Sequence, residues 1–155
     1  MRLCRYEHQG AAQIGFYLDD SIVPLAPAAK VAGVQAPHGA GLWPLLPGGN
    51  ATQAVLEIER AIAGLSPDDL ASLAMPVAGV SLLVPVPAPS KLLLLAGNYS
   101  KHIEEGGGRA EERARTFPYV FMKPPLTTLT HPGKPVRIPA VSPYLRNIEQ
   151  ITFAE

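Results

Sequence analysis

The chain has 155 residues, with 13 basic against 13 acidic side chains and 47% hydrophobic residues. That balance argues against the basic face needed to bind nucleic acid or an anionic membrane, while the apolar content is enough to fill the core of one domain or two small ones. No apolar run approaches the roughly 18 residues of a membrane span, and the start Met1-Arg2-Leu3-Cys4-Arg5-Tyr6-Glu7 lacks the oily centre of a secretory leader. The single cysteine, Cys4, cannot form an internal disulfide, and the expectation is a cytoplasmic protein in a reducing compartment.

Proline (17) and glycine (14) together make a fifth of the chain, and most of the prolines lie between Pro76 and Pro143. Proline removes a backbone donor and fixes φ, so this stretch is expected to form short strands joined by rigid turns rather than helices. Residues 2–7 alternate, with Cys4 and Tyr6 on one face and Leu3, Arg5 and Glu7 on the other. Ile14–Leu18 and Ser21–Leu25 flank Asp19-Asp20 and predict a hairpin. Residues 26–50 carry little signal.

Asn50 to Ala63 is the clearest helix. Asn50 is the candidate cap, Gln53 completes a capping box, and Ala54, Val55, Ile58, Ala61 and Ile62 form an apolar stripe. Gly64 is expected to end it in the left-handed conformation. Ser66 and Pro67 predict a second, short helix as its cap and first residue. The Pro-rich stretch 76–90 reads as a stiff linker rather than a peptide-recognition motif, and it ends a small N-terminal domain near residue 80.

Lys91-Leu92-Leu93-Leu94-Leu95-Ala96-Gly97 is apolar on both faces and predicts a strand buried on both sides. Tyr119–Met122 and Val136–Pro139 read as further strands. Asn98-Tyr99 follows the leucine strand directly, at a strand end where ligands often sit. His102 and Glu105 are three residues apart, which on a helix puts both on one face. A carboxylate beside an imidazole fixes its tautomer and makes it a candidate general base. Chance often produces this spacing, and Glu104 is an alternative partner. Gly106-Gly107-Gly108 is either the hinge of a lid or a helix stop. Lys123 is either an anion contact for a carboxylated substrate or a solvated lysine at a strand end. His8, His38, His102 and His131 are scattered, which argues against zinc, and Cys4 reads as a small core residue.

The run Leu92-Leu93-Leu94-Leu95-Ala96-Gly97-Asn98-Tyr99-Ser100-Lys101-His102-Ile103-Glu104-Glu105 resembles the N-Y-x-x-H-x-x-E signature of the fumarylacetoacetate hydrolase family. Phe117–Pro125 and Pro132–Pro139 resemble its next block, P-x-x-F-x-K-P followed by G-x-P-x-x-x-P, and the first 25 residues are similar to the N-terminal domain of two-domain members. The resemblance implies an α+β architecture: a small α+β N-terminal domain (1–80), then the start of a mixed β-roll catalytic domain (81–143). It implies metal-dependent hydrolysis, decarboxylation or isomerisation of oxo acids such as acylpyruvates, fumarylacetoacetate or hydroxymuconate-like dienoates. It assigns His102 as the general base and Glu105 as its partner, with Asn98, Tyr99 and Lys123 in substrate binding. It further implies Mg²⁺ or Mn²⁺ held by carboxylates, and a homodimer once the fold is complete. The family continues into a D-x-E-x-E-like strand, whereas residues 144–155 form an atypical tail in which Glu149 and Glu155 do not reproduce that spacing. The metal ligands are therefore expected to be absent from this chain, and the polypeptide itself is expected to have little or no activity. The alternative is a non-catalytic remnant or interaction module.

Overall fold

The alternation near the N-terminus organises the first sheet. The computed structural model describes residues 2–96, 104, 107 and 119–136. Strand β1 (Leu3–His8) buries Cys4 and Tyr6 on one face, as the pattern requires. It pairs antiparallel with β2 (Ala11–Leu18), from Leu3 opposite Phe16 to His8 opposite Ala11. Gln9 (φ 52°) and Gly10 (φ 76°) turn the chain, both in the left-handed region that two-residue hairpins favour. The expected second hairpin follows: β3 (Ser21–Pro24) pairs with β2, and Asp19 (φ 55°) occupies the turn.

The segment read as a linker begins by completing this sheet. β4 (Met75–Pro76) pairs with β3 and β5 (Ser81–Leu83) pairs with β1, giving the order β4-β3-β2-β1-β5. A 3-10 turn at Val77–Gly79 joins the two outer strands. The five steps from Pro76 to Ser81 span at most roughly 17 Å of chain, whereas four strand spacings in a flat sheet need roughly 19 Å. The sheet is therefore curled, with the 77–80 strap lying across one face. Val77, Val80 and Leu82 pack there against buried Cys4, Tyr6 and Ile22.

Helices cover the other face. Helix α1 (Leu25–Ala32) starts where β3 ends and stops at Gly33, whose φ of 69° is left-handed. Its Pro27 lies in the first turn, where a missing N–H breaks no helical hydrogen bond. Helix α2 (Thr52–Ala63) packs on α1 and buries Val55, Ile58 and Ile62 against Phe16, Val23 and Leu25. Three expectations for this helix are corrected. Asn50 is not its cap: Ala51 holds that position, and the Thr52 hydroxyl turns back to donate to the Gly49 carbonyl at 3.0 Å. Gln53 does not reach back either, because its amide donates forward to Glu57 at 3.1 Å. Gly64 is right-handed (φ −87°), since its N–H still bonds the carbonyls of Arg60 and Ala61 and the chain tightens on without reversing hand. Helix α3 (Pro67–Leu73) starts as its sequence predicts, with the Ser66 hydroxyl accepting the Asp69 N–H at 3.2 Å.

A second sheet has two strands, β6 (Leu92–Ala96) and β7 (Tyr119–Lys123), antiparallel from Leu92 opposite Lys123 to Ala96 opposite Tyr119. The expectation that the leucine strand is buried on both faces is corrected. Leu93 is 58% and Leu95 51% exposed, and their cross-strand partners Met122 and Val120 are 67% and 58% exposed. Among the described residues no layer covers that face. A single helical turn, α4 (Pro125–Thr128), follows β7. Val136 lies in no regular element, and the rest of the expected strand 136–139 falls outside the described residues. The molecule is α+β. Among the described residues no helix is long and apolar enough to cross a membrane.

Candidate functional site

The β6–β7 ladder fixes where the first candidate residues must start. β6 stops at Ala96, opposite the first residue of β7, Tyr119. Asn98, Tyr99, His102 and Glu105, the core of the sequence-based site, lie outside the described residues.

Lys123 is described. It ends β7 opposite Leu92, at the end of the ladder away from Ala96. Four residues of strand separate the two ends, roughly 13 Å. The Lys123 ammonium is exposed and sits 5.8 Å from the ring centroid of Phe121, two residues back on the same face. The ladder thus puts Lys123 and Ala96 at opposite ends of the sheet.

Magnesium and manganese need several converging oxygen ligands. Among the described residues no three His, Cys, Asp or Glu side chains come together to hold a metal. The described residues do not fit the ion that the resemblance implies, and no chemical step is routed through it.

Cys4 is the small core residue expected. Its thiol donates to the Gly15 carbonyl at 3.6 Å, and burial pushes its pKa up, which keeps it from being a ready nucleophile. Tyr6 is fully buried, and its hydroxyl donates to Gln13 at 3.0 Å. Burial raises the pKa of this phenol too.

One constellation escaped the sequence reading. His131 opens a turn in which the Lys134 N–H bonds the His131 carbonyl at 3.1 Å, with Gly133 at φ 72°. The turn lies against the outer edge of the first sheet. The Val84 N–H, just past β5, donates to His131 Nδ1 at 2.9 Å. The Val84 carbonyl accepts from Arg5 Nη1 at 2.7 Å, and Arg5 Nε donates to the Ala40 carbonyl at 2.6 Å. Turn and sheet enclose a cleft of about 470 Å³, lined by Glu7, Val77, Val80, Leu82, His131 and Lys134 among others. Pro132-Gly133 announces the turn in the sequence. The bond from His131 to a residue 47 positions earlier has no local signal.

No family model matches the chain. Over 65 residues it is 42% identical to Protein Rv2993c of Mycobacterium tuberculosis (strain ATCC 25618 / H37Rv), a match that takes in 42% of this chain. The chain spans about a fifth of the length of this curated relative, 22%.

Proposed function

We propose that the chain carries the N-terminal part of an oxo-acid enzyme of the fumarylacetoacetate hydrolase type, which hydrolyses, decarboxylates or isomerises acylpyruvate-like substrates. The observation that supports this reading is the β6–β7 register. The strands that lead into the N-Y-x-x-H-x-x-E run and into the P-x-x-F-x-K-P block are hydrogen-bonded neighbours. The strand that precedes the first motif is thus paired with the strand that carries the second, although the two lie more than twenty residues apart in sequence.

In this proposal His102 accepts a proton from water and Glu105 orients and charges the imidazole for that transfer. The resulting hydroxide adds to the carbonyl next to the scissile C–C bond; that bond then breaks, its electron pair departs with the leaving fragment as an enolate, and the His102 imidazolium returns its proton to that fragment. Asn98 and Tyr99 contact the substrate at the strand end. Lys123 contributes an anion contact for the substrate carboxylate and has no part in the proton transfer. The test is an acylpyruvate, fumarylacetoacetate and hydroxymuconate panel assayed with Mg²⁺ or Mn²⁺. Turnover that His102→Ala removes supports the reading.

A second reading is favoured by one observation, the uncovered apolar face of Leu93, Leu95, Val120 and Met122. An interaction module without catalysis would present such a surface. It is supported if the panel is silent, calorimetric titration shows no tight Mg²⁺ or Mn²⁺ binding, and sedimentation shows self-association. Turnover excludes it.

A further inference from the structure

We infer that His131 is a proton-sensitive clasp that docks the 131–134 turn onto the edge of the N-terminal sheet. The inference stands on geometry and is independent of the proposed activity. Among the described residues β5 is the last strand of its sheet, and its outer side has no strand neighbour. Such an edge exposes backbone donors to any passing strand. Here the first donor past β5, the Val84 N–H, is taken by a side chain, His131 Nδ1 at 2.9 Å.

An imidazole nitrogen accepts a hydrogen bond only when it carries no proton. The docked ring is therefore neutral, with its proton on Nε2. When the ring takes a second proton, Nδ1 becomes a donor facing the Val84 N–H donor. The contact then turns from attractive to repulsive and the turn is released.

Charged groups face the cleft from two elements. On β1, the Arg5 guanidinium is held 2.7 Å from the Val84 carbonyl, and Glu7 lines the same cleft. Lys134 lines it from the turn itself. The 77–80 strap and β5 contribute Val77, Val80, Ser81, Leu82 and Leu83 and no charge. Arg5 and Lys134 oppose a docked imidazolium, whereas Glu7 favours it. Release exposes the cleft wall formed by Val77, Val80 and Leu82, so acid opens a partly apolar cleft that is narrower at alkaline pH.

The test is amide hydrogen exchange by NMR, expressed as protection relative to the intrinsic exchange rate at each pH. Between about pH 8 and about pH 5, Val84 protection in the unmodified chain falls by roughly tenfold. His131→Ala gives low protection at both values. His131→Asn places an amide oxygen where Nδ1 was and keeps protection high at both. The Tyr6 amide, inside the sheet, reports in every sample that the fold is intact. The clasp is overturned if His131→Ala keeps wild-type protection of Val84 at the alkaline value. It is equally overturned if the unmodified chain and His131→Asn show the same pH profile.

Discussion

The two sheets of this chain are made of strands of similar oiliness, yet one is buried and the other is not. β3, with the sequence Ser21-Ile22-Val23-Pro24, buries its last three residues because helices lie on one side and the 77–80 strap on the other. β6, with four consecutive leucines, leaves Leu93 and Leu95 more than half exposed because, among the described residues, its sheet has two strands and an uncovered face. Burial is set by the layers around a strand, not by the strand's own composition.

That contrast can be broken by substitution. Ile58→Ala, at a fully buried position facing the first sheet, is expected to cost about 2–5 kcal/mol, read as a lowered urea midpoint. Gly15→Ala acts from the middle of the same sheet. A Cβ there would collide with the Ile22 side chain and lie 2.8 Å from the Val23 carbonyl oxygen. Such overpacking is expected to cost about 1–3 kcal/mol. The double change Leu93→Ser and Leu95→Ser is expected to move the midpoint by no more than about 0.5 kcal/mol per site while raising solubility. A loss as large as that of Ile58→Ala would mean that a further layer covers β6 in solution.

The smallest effect concerns charge. Arg2 hydrogen-bonds Asp19 at 2.8 Å and holds its carboxyl below the usual carboxylate range, with the Coulomb attraction adding to the bond. A depressed carboxylate stabilises the fold above its unfolded value, and the contribution fades as pH falls through the folded value. Asp19→Asn keeps a residue that tolerates the positive φ at this turn. The variant should therefore be slightly less stable than the unmodified chain at neutral pH and equal to it in acid, as urea midpoints at the two pH values would show.

Local chemistry was legible in the sequence and layering was not. Asp19-Asp20 and Ser66-Pro67 declare their turn and cap because the residues that form them are adjacent. Helix α1 is hidden because Ala and Pro dominate Leu25–Ala32, and its apolar face becomes a signal only beside α2. Asn50 has the chemistry of a cap, yet Thr52 and the Gly49 carbonyl fix the helix start two residues on. β5 is three residues inside a proline-rich run, too short to show a period, so its place beside β1 comes from a partner almost eighty positions earlier. For the candidate site, the strand leading to Asn98 was legible. The pairing of Lys123 with Leu92 was not, since antiparallel register decides which end of a ladder a residue occupies.

The pairing of Arg5 with Leu83 also bears on how the chain is made and trimmed. During synthesis β1 emerges from the ribosome early and acquires β2 within a few residues, but its other flank stays unzipped until residue 83 is out. A polypeptide cut before that point would leave β1 as an open edge strand, free to pair between molecules.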